Sequence, residues 1–240
     1  MRAPSVALGV VAVVVAACTS VQSSNLKTAG MSADLRVIGD GTGQTTASAA
    51  FNVDNNPTDF VDLSSGDSAV ATAGAQTETM SRNDTLGDIS YQATFTGLDA
   101  EGTPYTIALN RTSDVSAPSS TVTMPQPFAI TTPTSGASFS RAMSDIAVTY
   151  TNPGSTDQFS WSAQGTCING QPSAVISPDN GSFTIAKGTI MPASAAESSM
   201  SCQVTLSLAR VRQGQLDSHY GSGGSIAAEA LRQLTFTSTP

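Results

Sequence analysis

Charge is scarce in this 240-residue chain: Asp, Glu, Lys and Arg together make up 12%, about half the usual share for a soluble domain. Aromatic residues are 5%, with one Trp, and there is one His. The chain has too few charges and no heptads for a long coiled coil, and its Gly and Pro follow no collagen-like period. With 10 Lys plus Arg against 18 Asp plus Glu, the basic footprint that phosphate backbones require is missing, so no nucleic-acid partner is expected. What is plentiful is the small hydroxyl, with 34 Ser and 30 Thr.

Long apolar runs are missing as well, apart from one. Met1-Arg2 gives a short positive start, and residues 6–17 are unbroken apolar sequence. Such a run is too short to cross a bilayer as a helix, which takes roughly 20 residues. It has the length of a signal-peptide hydrophobic core. Val15-Ala16-Ala17-Cys18 closes it and resembles the lipobox of bacterial lipoproteins. The resemblance implies diacylglycerol on the Cys18 thiol, cleavage before Cys18 and acylation of the new amino group. Residues 1–17 are then the signal peptide, and several acyl chains together anchor the mature protein to the membrane. Thr19 and Ser20 follow where an inner-membrane retention signal has Asp, so the resemblance implies the outer membrane. An ordinary secretory signal that happens to hold a Cys is the alternative. Residues 18–30 are polar without apolar periodicity and are expected to form a lipidated, flexible tether.

Export bears on the other cysteines. With Cys18 taken by lipid, Cys167 and Cys202 remain, and an even remainder in an oxidising compartment reads as one disulfide. Two free thiols, or a metal pair, are the alternatives. Two sulfurs with only His219 nearby in sequence make a poor zinc site.

The body of the chain reads as all-β. Ile89, Tyr91, Ala93 and Phe95 alternate with polar residues, as do Phe159, Trp161 and Ala163, and Cys202, Val204, Leu206 and Leu208. Period two with hydroxyls on the other face means one buried side and one wet side. Turn residues separate these runs, among them Asn55-Asn56-Pro57 and Asn180-Gly181. Asn-Gly should close a hairpin between strands near 174–177 and 183–186. Four Pro in 116–133 mark a joint between an acidic domain, 31–127, and a disulfide-containing domain, 128–240. Residues 226–234 are rich in helix formers yet also fit a strand that runs on through 234–237; the strand is favoured, with a short helix as alternative.

Cys202 shares the parity of Val204 and Leu206, and Cys167 that of Phe159 and Trp161, so both sulfurs can face a core. This resembles immunoglobulin-like modules, and the resemblance implies two Ig-like antiparallel β-sandwich domains in tandem behind the signal peptide and flexible tether. Trp161 precedes the first Cys rather than following it, which departs from true immunoglobulin domains. The phrase Val122-Thr123-Met124-Pro125-Gln126-Pro127-Phe128 and the ending Gly223-Gly224-Ser225-Ile226 also resemble two-domain lipoproteins of Gram-negative bacteria, for which no activity is implied.

Chemistry has few places to sit. His219 has Asp217 and Ser218 as neighbours, but adjacent residues on an extended chain alternate faces and do not assemble a triad by themselves. Paired carboxylates of the glycosidase kind need two acids facing a cleft, and the 18 acids single out no pair. Asp54, Asn56, Asp59 and Asp62 form a dense oxygen-rich stretch that could ligate calcium, although Asp and Asn are equally ordinary turn residues and no EF-hand pattern is present. No other cofactor is expected. The acids concentrate in 31–127, where the net charge is −9 against −1 for 128–240. Such a body should stand off from anionic lipid. The expectation is therefore a lipid-anchored, non-catalytic envelope protein, with envelope protein or glycan as partner. A lipid-anchored hydrolase using scattered acids and His219 is the alternative.

Overall fold

The computed structural model describes residues 19–64 and 66–240. The lipobox and Cys18 lie outside the described residues. The described chain is all-β, with three short 3-10 turns and no α-helix among the described residues. The first half holds β1 (Thr19–Gln22), β2 (Met31–Gly39), β3 (Gln44–Val53), β4 (Asp59–Asp62), β5 (Ser68–Ala73), β6 (Gln76–Thr79), β7 (Ser81–Thr85), β8 (Asp88–Thr96), β9 (Pro104–Asn110) and β10 (Ala117–Thr123). The second half holds β11 (Ile130–Thr132), β12 (Ser138–Ser140), β13 (Ile146–Tyr150), β14 (Gln158–Gly165), β15 (Ser173–Val175), β16 (Ser182–Ile185), β17 (Cys202–Gln213) and β18 (Ser225–Thr239).

Each half is a sandwich, and period-two patterning explains why. In β2, Ala33, Leu35 and Val37 are buried while Asp34 and Arg36 face out. Facing them, the sheet β10-β9-β5-β6 contributes Tyr105, Ile107, Leu109 and the small Ala69, Ala71 and Ala73. In the second half, the three-stranded sheet β11-β13-β16 covers β18-β17-β14-β15, with β12 parallel to the end of β18. This order is that of an immunoglobulin-like sandwich, and Trp161 sits on the strand where such domains carry their buried Trp. It stacks on Phe183 of β16, with ring centroids 6.3 Å apart. The sequence departure therefore lies in the disulfide. Cys167 and Cys202 are bonded, but they join the turn after β14 to the start of β17, strands that are neighbours within one sheet.

The last strand ties the halves together. Ser225–Ala230 pair parallel with β2 of the first sandwich, Ser138–Ser140 pair with its far end in the second, and β17 pairs antiparallel along 12 positions. At about 3.3 Å per residue this ribbon runs roughly 45–50 Å through both sandwiches. Residues 226–234 are thus strand throughout. Their helix propensity is overridden because Ile226, Ala228 and Ala230 are buried on one face, the whole stretch pairs with β17, and 225–230 pair with β2 as well.

Three expectations need correction. Residues 19–30 are not a flexible tether: β1 pairs parallel with β4, and Ser23 and Thr28 are buried. The polar residues there serve hydrogen bonds rather than solvent. Leu216, Tyr220, Ile226 and Ala228, placed by sequence in the second domain, pack in the first core, because the loop after β17 bonds to β10 and the start of β18 pairs with β2. Asn180-Gly181 closes no hairpin: β15 pairs with β14 and β16 with β13, so the turn crosses between sheets.

Candidate functional site

Asp217 and His219 meet through their side chains. They are two residues apart, on one side of a turn, and His219 Nδ1 lies 2.7 Å from Asp217 Oδ1. The rest of the arrangement is not a relay. Ser119 donates from its Oγ and its backbone N–H to Asp217 Oδ2, each at 2.7 Å. The hydroxyl therefore bonds the acid and not the imidazole, so the imidazole activates no nucleophile through this bond. The His219 N–H also donates to Asp217 Oδ1, and Ser120 Oγ accepts from the Asp217 N–H. Burial alone would raise the Asp217 pKa, but the bonds from Ser119 and His219 outweigh it and hold the carboxyl at about 2. This knot fastens the loop after β17 to β10.

The four calcium candidates are gathered only in part. Asn56 Nδ2 donates to Asp59 Oδ2 at 2.8 Å, which presents a hydrogen-bond donor to the carboxylate. The Asn56 side-chain oxygen accepts from Thr58. Asp54 and Asn55 take positive φ, 46° and 62°, in the turn itself. Asp62 lies on β4 and accepts from Arg82 Nε at 2.8 Å and from Tyr91. The hydrogen bond from Arg82 lowers its pKa more than any other influence. Among the described residues, no three His, Cys, Asp or Glu come together in a way that could hold a metal ion.

Sequence reasoning missed the arginines. Arg111 is fully buried, pairs with Asp67 at 2.8 Å and donates from Nη2 to the carbonyls of Ser23 and Leu26. It holds the 19–30 segment on the first sandwich. Arg141 donates to the carbonyls of Glu197, Ser198 and Met200, pinning the loop that leads into Cys202. Three more arginines from the β17–β18 ribbon grip the joint between sandwiches. Arg212 donates to the Met124 carbonyl and pairs with Asp157 at 2.8 Å. Arg210 donates to the Gln126 carbonyl. Arg232 donates to the carbonyls of Phe128 and Gly39, one from each half. Gly39 and Gly41 fit this crossing because they have no side chain: a Cβ on Gly41 would lie 2.4 Å from Arg232 Nε. The forked guanidinium can serve two carbonyls at once, and irregular backbone is where carbonyls lack ladder partners.

A candidate binding surface lies on the second sandwich. β15 and β16 end their respective sheets. Between them is an open groove of about 290 Å³ lined by Trp161, Val175, Asn180 and Phe183. Val175 is 63% exposed there.

No family model matches the chain, and no curated protein matches it. Among solved structures it is similar to chicken CNTN1 FN1–FN3 domains (8% identity, 86% of this chain and 66% of that one, TM-score 0.29). It is also similar to a two-domain fibronectin type-III segment of chicken tenascin (14%, 86% and 98%, TM-score 0.24) and to the tandem Ig repeats of Dlar (12%, 87% and 98%, TM-score 0.29). The immunoglobulin-like β-sandwich fold of the chain is read from its own strand order.

Proposed function

We propose that the protein is a lipid-anchored, non-catalytic component of the bacterial envelope, held at the outer membrane through Cys18, with a structural or binding role. The observation that carries this reading is the arginine-clamped joint: Arg210, Arg212 and Arg232 fix the linker carbonyls between two sandwiches that already share β18. A joint held this way makes the two domains a single rod, suited to presenting a surface at a set distance from its base. The lipobox residues support the anchor, and Thr19 and Ser20 after Cys18 support the outer membrane. The groove bordered by β15 and β16 is the surface offered to an envelope protein or glycan.

The test has two arms. Wild-type and Cys18→Ala proteins are expressed with the native signal and fractionated; the wild type is expected in the membrane pellet and the variant in the soluble fraction. Detergent-solubilised wild type is then used to isolate partners from envelope fractions. A Cys18→Ala protein that stays anchored overturns the lipid reading. A hydrolase activity abolished by His219→Ala overturns the non-catalytic one.

A further inference from the structure

The turn between β7 and β8 carries a leucine where the backbone suits it poorly. Leu86 has φ 55° and Gly87 φ 96°, the sign pattern of a type I′ hairpin turn, whose first position favours Asn, Asp or Gly. A bulky residue in the left-handed region is an outlier, and such strain concentrates where a side chain serves a function. Leu86 is 98% exposed, so no packing within the chain offsets the mismatch.

Its place in the fold follows from strand directions. β8 and β4 both run antiparallel to β3, and β1 runs parallel to β4. The starts of β1, β4 and β8 therefore point to the same end of the first sandwich. The β3–β8 ladder ends at Ala49–Tyr91, and β4 takes over the same edge of β3 at Asn52–Phe60, so the β7–β8 turn lies beyond that point, toward the start of β4. Thr19 pairs with Asp59, the first residue of β4. The Leu86 turn and Thr19 thus lie toward the same end of the first sandwich, the end away from the second. Val115, 55% exposed, is at this end too, because Thr28 just before β2 donates to the Asp114 carboxylate and the Val115 carbonyl.

We propose that Leu86 is a membrane-contact residue, inserting into the boundary between headgroups and acyl chains beside the lipid anchor, with Val115 as a second apolar contact at that end. This rests on the lipid-anchor reading. Cys18 immediately precedes Thr19 in sequence, and Thr19 pairs with Asp59 at this end, so on the anchor reading the acyl chains attach one residue from it. One leucine binds a bilayer too weakly to act alone, but once the anchor is embedded its insertion is intramolecular and effective. Asp84 and Asp88 flank the Leu86 turn and Asp114 precedes Val115, with Arg82 of the same hairpin paired to Asp84 and Asp62 and Lys27 near Val115 in the 19–30 segment. The favoured surface is therefore zwitterionic lipid rather than anionic lipid.

The mature chain from Cys18, with Cys167 and Cys202 bonded, is coupled through the Cys18 thiol to maleimide-headgroup lipid in phosphatidylcholine vesicles. Leu86→Trp reports burial in lipid, and brominated acyl chains quench it. Trp161, buried in the second sandwich, is the internal reference. The expected result is loss of about half or more of the added emission in brominated vesicles, with wild-type emission unchanged. Leu86→Asn is expected to raise the melting temperature, because it suits the turn, while lowering the protein's hold on vesicles made with a single-chain anchor at least several-fold. If the emission added by Leu86→Trp stays unquenched, the contact is overturned. A blue shift without vesicles that grows with protein concentration also overturns it, assigning the tip to a second copy of the chain. The mass of protein made with its native signal tests the anchor separately. Unmodified Cys18 overturns the anchor reading and the proposal with it, whereas acylated Cys18 with no quenching of the Leu86→Trp protein overturns the contact alone.

Discussion

Arg210 Nη2 and Asp179 Oδ2 meet at 2.8 Å inside the second sandwich, with the arginine side chain fully buried and that of the aspartate 6% exposed. Both carboxylate oxygens and both terminal nitrogens of the pair are engaged, and Arg210 Nε alone is buried without a hydrogen-bond partner. Asp179 also accepts from Tyr150 Oη at 2.8 Å and from the Ser155 N–H. Arg210 donates to the carbonyls of Asn152 and Gln126, and its guanidinium carbon lies 4.8 Å from the Phe159 ring centroid and 5.2 Å from that of Phe128. Burial first, and then the bond to Asp179, push the Tyr150 hydroxyl up to about 12. The pair joins β17, the turn before β16 and the interdomain linker in one polar centre.

Removing one partner of a buried pair leaves an uncompensated charge, which typically costs about 3–5 kcal/mol. Arg210→Met is therefore expected to lower the urea midpoint strongly, and Arg210→Met with Asp179→Asn to recover part of the loss. If the double variant were no more stable than Arg210→Met, the carboxylate would not be the source of the damage.

Arg111 makes a different prediction, because its carbonyl partners lie in one segment. Arg111→Ala should release Thr19–Gln22 and the turns after it while β2 and β3 stay paired. Hydrogen–deuterium exchange is expected to rise at least tenfold in 19–30 and little in 31–53. Uniform acceleration across the first sandwich would mean that Arg111 supports the whole core through its pair with Asp67, and would sink the idea of a local latch.

Much of the fold was legible because period two is a local signal. Ile89, Tyr91, Ala93 and Phe95 are inward on β8, as their alternation implies. The disulfide was legible from the shared inward parity of Cys167 and Cys202 with their strand neighbours. What could not be read depends on distant partners. Nothing in the polar sequence of 19–30 shows that Arg111, over 80 residues away, bonds its carbonyls. Asn180-Gly181 has the chemistry of a hairpin turn, but the strands on either side find other partners. At the candidate site, Asp217 and His219 are close in sequence, while Ser119, whose hydroxyl bonds the acid rather than the imidazole, lies 98 residues from Asp217. Arginines in a β-strand carry no pattern that marks them as clamps. A hint was present, since Arg210 shares the inward parity of Leu206 and Leu208.

The joint gives a third prediction. Arg232 bridges the Phe128 and Gly39 carbonyls, and burial lowers its pKa, so its charge is held in place by bonds to backbone. Arg232→Ala should cost about 1–3 kcal/mol, the range for leaving buried acceptors unmet. Exchange should accelerate at 125–129, while amides of the β17–β18 ladder keep their protection because that ladder does not depend on Arg232. Unchanged exchange at 125–129 would show that Arg210 and Arg212 suffice to hold the linker.

The Asp217 knot ties stability to pH in a direction that can be worked out. Its carboxyl titrates at about 2 in the folded chain and near 3.9 when unfolded. A depressed folded value means that the unfolded chain binds the proton more readily, so stability rises with pH across this window. The contribution, about 2 kcal/mol, is fully present above about pH 4 and fades as pH falls toward 2. Asp217→Asn keeps the shape but presents an amide N–H₂ to donors that now lack an acceptor. The variant should therefore be less stable than wild type at pH 7 by about that amount or more, and the gap should narrow markedly at pH 2.5. Urea midpoints for both proteins at the two pH values measure it. A gap of equal size at both would place the effect in lost packing rather than in the ionised carboxylate, and the loop after β17 would then be held by Tyr220 against Phe51, whose rings stack 6.2 Å apart.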